Sequence, residues 1–230
     1  KESGQLKNIR DVYCKKHDIT GIHRQRLTAI TNDVIRWRGR LDHWMNELLN
    51  KPNQKMQPEL KNVLRAGLYE VVMDEITPAY AAVNAYVEIA KRTLGNGPGK
   101  LTNAILRKAT ELNNISKPDN CELNTWYSFP VWLWEKWTKQ FGSKKAITLV
   151  KYFNERPKMD IRRNDSQLSH EELNSFCDEH DFNIELWNNS EIFYQVQRNM
   201  AELNILIVAG NVSVQNRASG MVVELLDPKP

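Results

Sequence analysis

The chain has 230 residues, 41% hydrophobic and 26% charged, enough to bury a core in one large domain or two small ones. No apolar run approaches a bilayer span, the first ten residues, KESGQLKNIR, hold no apolar signal-peptide core, and no CxxC or HExxH spacing is present. The net charge of +4 is uneven: residues 1–110 hold 19 Lys and Arg against 11 Asp and Glu, and residues 111–230 hold 13 against 17, so polyanion binding is expected of the first half. Cys14, Cys121 and Cys177 are far apart and the five histidines form no ligand pattern. That reads as idle or buried thiols in a reducing cytoplasm, with no metal site and no membrane segment.

Residues 1–20 are polar and weakly helical, with Leu6, Ile9 and Tyr13 on one side. Leu27, Ile30, Val34, Trp37, Leu41, Trp44 and Leu48 then step by three and four, which predicts one amphipathic helix over 27–49. Arg24 and Arg26 stand at its entrance and Arg36, Arg38 and Arg40 on its flanks, a pattern suited to RNA phosphates. Pro58 opens a further helix to about Asp74, where Gly67 predicts a close helix crossing.

The most informative stretch is Thr77 to Leu112. Thr77 reads as an N-cap and Pro78 as the first helical residue. Val83, Tyr86, Ala90 and Leu94 form one apolar face, Gly95, Gly97 and Gly99 break the helix, and Leu101, Ile105, Ala109 and Leu112 form the face of a second. Lys91, Arg92, Lys100, Arg107 and Lys108 gather at the turn, a basic edge on a helical scaffold. The glycines do not spell a phosphate loop: three residues, not four, separate Gly95 from Gly99, Leu101 follows Lys100, and a helix precedes them. A helix cap followed by a flexible connection is the expected reading.

AVNAYVEIAKR followed by GKLTNAILRKA resembles the NusB-type RNA-binding fold. The resemblance rests on Ala82, Val83, Asn84, Val87, Glu88, Ala90, Lys91, Lys100, Asn103, Ala104, Leu106 and Arg107, with Ala85 and Thr102 departing from the pattern. HRQRLTAITNDVIRWRGRLD and LRAGLYEVVMDEITPAYAAVN resemble one NusB-containing family, the bacterial ribosomal RNA cytosine-C5 methyltransferases of the RsmB (Sun, Fmu) type.

Residues 113–124 read as a polar linker. In WYSFPVWLWEKWTKQFG, Ser128 is expected to cap a helix with Pro130 in its first turn and with Val131, Trp134, Trp137 and Phe141 on one stripe, read as core or interdomain packing, with a base-stacking platform as the alternative. A second connector helix is expected from Ser143 to about Phe153. Met159, Ile161 and Arg163 then alternate with Asp160, Arg162 and Asn164 as in a half-buried strand. Ser169 and Glu172 spell a capping box, and Phe182–Leu186, Ile192–Val196 and Ile205–Val208 are strand candidates. NERPKMDIRRND and GNVSVQNRASGMVVELLDPKP again resemble the methyltransferases.

The resemblance implies a mainly α protein: a NusB-like helical bundle over 1–115, linker and connector helices over 116–157, and a small α/β, RRM-like subdomain over 158–230. It implies a further helix ahead of residue 1, and a cofactor loop and catalytic cysteines beyond Pro230, so this chain carries no catalytic residue and no cofactor site. S-adenosylmethionine belongs to the implied parent enzyme. The implied role is RNA binding and substrate targeting, with small-subunit ribosomal RNA as partner; a stand-alone NusB-type antitermination protein is the alternative. The expected RNA contacts are Arg24, Arg26, Arg36, Arg38, Arg40, Lys91, Arg92, Lys100, Asn103, Arg107 and Lys108, continued by Arg156, Arg162 and Arg163.

Overall fold

The computed structural model describes residues 5–49, 55–112, 116–188, 190–198 and 202–226. They divide into two compact units, 1–154 and 155–230. In the first, α1 (Leu6–Lys16) precedes α2 (Gly21–Arg36), α3 (Arg38–Leu48), α4 (Pro58–Val72), α5 (Ala79–Leu94) and α6 (Asn96–Ala109). A single turn, α7 (Leu123–Trp126), leads to α8 (Val131–Phe141) and α9 (Ser143–Asn154).

α4, α5 and α6 pack on one another, with α2 and α3 laid on α4. The core holds Leu41, Leu64, Leu68, Ile105 and Leu106, each worth roughly 1.5–3 kcal/mol when fully buried. Of the apolar face read from Leu27 to Leu48, the residues from Ile30 onward are in this core and Leu27 is not, and the helix that carries the face is broken at Trp37. The Arg40 N–H, in the first turn of α3, donates to Ser128 Oγ at 2.9 Å. A hydroxyl 88 residues away thus supplies a partner to a helix start that has no cap of its own. Ser128 therefore does not cap α8, whose preceding residue is Pro130.

Glycine sets two close approaches. A Cβ on Gly67 would lie 2.6 Å from Leu106 Cδ1 and 3.3 Å from Tyr86 Cγ, so this glycine marks the crossing of α4 with α5 and α6. A Cβ on Gly39 would lie 3.0 Å from Ser128 Cα and 3.1 Å from the Thr125 carbonyl, which lets α3 rest on backbone.

Two boundaries differ from the sequence reading. Pro78, not Thr77, precedes α5; the Thr77 hydroxyl is instead taken up by Arg26 and Glu70. The turn between α5 and α6 is Gly95 alone, at φ +100°, with Gly97 and Gly99 already inside α6. A Cβ on Gly99 would lie 2.3 Å from Lys91 Cγ, so Gly99 is needed for helix contact, not for a flexible loop.

In the second unit, β1 (Met159–Arg163), α10 (His170–Glu179), β2 (Asn183–Leu186), β3 (Phe193–Arg198), α11 (Leu203–Val208) and β4 (Val212–Val214) precede α12 (Arg217–Leu226). The strands form one sheet in the order β2-β3-β1-β4, every neighbouring pair antiparallel. This is the split βαββαβ arrangement, the layout of an RRM. The capping box at α10 is complete: Ser169 Oγ accepts from Glu172 N–H, and Glu172 accepts from Ser169 N–H. Ile205–Val208 is helical, contrary to the strand expectation, because Leu203 and Leu206, three apart, are the residues that enter the core while Ile205 and Val208 face outward.

Candidate nucleic-acid interface

The arginines of the α2–α3 segment divide sharply. Arg24 is exposed and pairs with Asp11 at 3.0 Å, and Arg38 is exposed. Arg26 reaches from α2 to Asp74 Oδ1 at 2.9 Å, and also to Glu70 and Thr77 on the α4–α5 side. Its hydrogen bond to Asp74 holds the guanidinium firmly in its charged form. Burial alone would raise the Asp74 carboxyl, but hydrogen bonds from Arg26 and from the Thr77 N–H outweigh it and hold the acid below its usual range. The Tyr86 hydroxyl is pushed up by burial and by its hydrogen bond to Glu70. Arg36 pairs with the buried carboxylate of Asp33, whose other oxygen accepts from the Tyr69 hydroxyl at 2.7 Å.

Arg40 is 5% exposed. Its guanidinium lies between Trp37 and Trp126, 4.3 and 3.7 Å from the ring centres, and burial brings its pKa down to about 10. Arg26, Arg36 and Arg40 were expected to line an RNA track; the structure uses Arg26 and Arg40 to join distant segments, because the sequence places Asp74 and Trp126 far along the chain, while Arg36 pairs within α2 with Asp33, three residues before it.

The α5–α6 edge is different. Lys91, Arg92, Lys100, Arg107 and Lys108 are all exposed, with Asn103 half-buried among them. Lys100, Asn103 and Arg107 share one face of α6 at three- and four-residue steps. The Gly99–Lys91 approach joins this face to the end of α5. Lys91 also pairs with Glu88 at 2.9 Å on the surface.

The second unit offers less. Arg156 and Arg162 are exposed, but Arg163 is buried and donates to the Leu168 and Glu191 carbonyls. In an RRM, bases stack on aromatic side chains of the sheet. Here Tyr194 pairs with Ile161 on the face covered by the core, and Phe193 pairs with Arg162 on the other. Phe193 is 2% exposed because α12 lies on it: Gly220 touches the ring and the Arg217 guanidinium sits 5.0 Å from its centre. The open part of that face presents Glu185 and Gln197, hydrogen-bonded at 2.9 Å.

The connector helices α8 and α9 stand where the sequence places them, but their charge was not among the expected RNA contacts. Residues 131–154 hold five lysines, all exposed (Lys136, Lys139, Lys144, Lys145 and Lys151), against the single acid Glu135. That local excess is legible in the sequence but lies within residues 111–230, where 17 acids outnumber 13 Lys and Arg. Taken by compact unit, residues 1–154 hold 25 Lys and Arg against 15 Asp and Glu, and residues 155–230 hold 7 against 13.

No described glycine turn has the form of a nucleotide loop, which needs a strand, a glycine turn and then a helix. Gly95 joins two helices, and Gly210 leads from α11 into β4. Among the described residues, no glycine turn thus has the form of an S-adenosylmethionine loop. All three thiols are buried, and burial pushes Cys177 up to about 11.

Residues 2–111 match the NusB family. The helical unit carries a NusB domain. The α5–α6 edge and the Arg26 cluster both fall inside this NusB domain, while α7–α9 and the second unit lie outside it. Beyond the NusB domain, similarity continues. A probable ribosomal RNA small subunit methyltransferase B of Synechocystis is 31% identical over 163 residues, 69% of this chain and 36% of that protein. One of Bacillus subtilis is 26% identical over 220 residues, 94% of this chain and 49% of that protein. The chain thus spans between about a third and a half of the length of these relatives. A transcription antitermination protein NusB of Shewanella halifaxensis is 26% identical over 109 residues, 46% of this chain and 81% of that protein. Among solved structures, the crystal structure of PH0851 superposes with a TM-score of 0.62 at 20% identity, covering 94% of this chain and 50% of that one, a likeness of fold. The chain therefore combines a NusB domain with homology to ribosomal RNA small subunit methyltransferase B over much of its length. Among the described residues no helix is long and apolar enough to cross a membrane.

Proposed function

We propose that this chain is the RNA-binding, substrate-targeting N-terminal region of an S-adenosylmethionine-dependent ribosomal RNA cytosine-C5 methyltransferase, acting on small-subunit ribosomal RNA in the cytoplasm. The observation that carries the reading is the exposed face of Lys100, Asn103 and Arg107, extended by Lys91, Arg92 and Lys108, on a NusB domain. Cations held on rigid helices at fixed spacing neutralise phosphates without reading sequence. Arg24, Arg38, Arg156 and Arg162 extend the set of exposed cations. Methyl transfer, with S-adenosylmethionine supplying the methyl group, is assigned to no residue of this chain.

The alternative, a NusB antitermination protein, accounts for the first 111 residues. It gives no role to the rest, which aligns with the Bacillus subtilis methyltransferase as part of a 220-residue match.

The test is binding of a small-subunit ribosomal RNA fragment, against an unrelated RNA of equal length, across a salt series. Replacing Lys100 and Arg107 together by Ala is expected to weaken binding and reduce the log–log salt slope by about two. An unchanged slope removes the α5–α6 edge from the interface. Absence of salt-dependent binding by the unaltered chain overturns the function.

A further inference from the structure

We propose that the groove between the end of α2 and the connector helices α8 and α9 holds an unpaired nucleobase of the bound RNA. The inference rests on the RNA-binding reading above and adds to it a second, aromatic point of contact. The groove has a volume of about 450 Å³, within the range of small-molecule sites. Its walls are Ile35, Phe129, Pro130, Leu133, Trp137 and Phe153, with Arg36, Ser128 and Asn154 as polar edges. Trp137 is the centre of an aromatic row: Phe129 lies 5.4 Å from it at 56°, and Phe153 lies 5.5 Å from it at 17°.

The row is not closed over as a core would be. α8 has no fully buried residue, and Ile35 and Phe153 remain 56% and 52% exposed. Two of the polar edges already have partners that shape the groove: Ser128 Oγ accepts from the Arg40 N–H, and Asn154 Nδ2 donates to the Tyr127 carbonyl at 2.9 Å. Arg36, held by Asp33, places a guanidinium beside the apolar wall.

Charge selects the occupant. An apolar helix of a protein partner would have to dock on two helices, α8 and α9, that expose five lysines against Glu135 alone, at a groove whose one charged lining residue is Arg36. A nucleotide matches both features: its base has a flat apolar face for Trp137 and Phe153, and its phosphate suits the lysines. Aromatic–base stacking of this kind tolerates any base and serves single strands. Paired RNA hides its bases and gains nothing from the groove.

The test uses the full chain with oligouridylate and with a fully paired RNA of equal length, each across a salt series. Trp137→Leu, which keeps the site apolar, is expected to lower affinity for oligouridylate about tenfold and to leave the salt slope and the affinity for paired RNA unchanged. Phe153→Leu is expected to act in the same direction. Irradiation of 5-bromouridine-substituted oligouridylate is expected to cross-link the peptides of α8 or α9. If Trp137→Leu fails to fold by circular dichroism, Phe153→Leu and the cross-link decide. The inference is overturned, with the RNA-binding reading intact, if both variants bind oligouridylate like the unaltered chain, if the cross-links map elsewhere, or if only paired RNA binds. It is also overturned if the groove proves to seat a second copy, seen as a dimer that Trp137→Leu dissociates. If the unaltered chain binds neither RNA in a salt-dependent way, the functional reading itself has failed.

Discussion

The Arg40 guanidinium lies 3.7 Å from the centre of the Trp126 ring, and its Nε donates to the carbonyl of the same tryptophan at 2.7 Å. Trp126 in turn meets Trp44 edge-on, with ring centres 5.9 Å apart. A charge taken out of water is thus held by two aromatic faces and a carbonyl, fastening the α7 turn to α3. Arg40→Ala removes the cation–π contact and leaves a buried carbonyl without this donor, a loss of about 3 kcal/mol. Arg40→Lys does not restore it, because an ammonium lacks the planar fork and the Nε donor. Denaturant midpoints check this. A change in RNA salt slope with an unchanged midpoint would reassign Arg40 to the interface.

The division among the arginines shows what the sequence carries and what it withholds. The apolar face from Ile30 to Leu48, the Gly67 crossing, the Ser169–Glu172 box and strand β1 follow from local spacing, and each is present. Arg26, Arg36, Arg38 and Arg40 look alike by the same local rules, because each stands at the entrance or on a flank of one apolar stripe. The fates of Arg26 and Arg40 depend on partners that local spacing does not reveal, Asp74 48 residues from Arg26 and Trp126 86 residues from Arg40, whereas Asp33 lies only three residues from Arg36. The break at Trp37 has the same origin, since Ser128 lies 88 residues from the N–H it receives. The exposed α5–α6 edge was legible because α5 and α6 are joined by one residue, so its cations are neighbours in sequence and in space alike.

Acid should loosen the NusB domain through Asp74. Its carboxyl is held below the usual carboxylate range by Arg26 and the Thr77 N–H. A depressed acid contributes stability that is present above its unfolded pKa, near 3.9, and is lost as pH falls through the folded value. Urea midpoints of the unaltered chain are therefore expected to fall as pH drops below about 4. Asp74→Asn should be less stable at neutral pH and show a flatter acid limb. Parallel acid limbs in the two proteins would remove Asp74 as the responsible group.

The three thiols give a check on packing in both units. Cys14, Cys121 and Cys177 are 2%, 3% and 7% exposed. Burial raises the Cys121 thiol, and it takes Cys177 to about 11. Since the thiolate is the nucleophile, iodoacetamide at mildly alkaline pH is expected to label none of them in the folded protein and all of them in urea. Rapid labelling of Cys177 without denaturant would mean that the cover of α10 over the sheet opens readily.

The covered sheet face of the second unit can be tested at Gly220. A Cβ there would lie 2.2 Å from Phe193 Cζ and 2.4 Å from Cε2, and the ring it meets is itself buried. Gly220→Ala gains helix propensity of about 1 kcal/mol but forces α12 and the Phe193 ring apart. Overpacking of this kind costs about 1–3 kcal/mol, so the net effect is expected to be destabilising. Hydrogen exchange should show faster opening of β1 and β3 with the NusB domain unchanged. Because Phe193 is covered by α12 and its ring is met by Arg217, Phe193→Leu should leave the affinity and salt slope for RNA as they are. A fall in RNA affinity with Phe193→Leu, at unchanged stability, would mean that α12 lifts away and that the sheet binds bases as in an RRM.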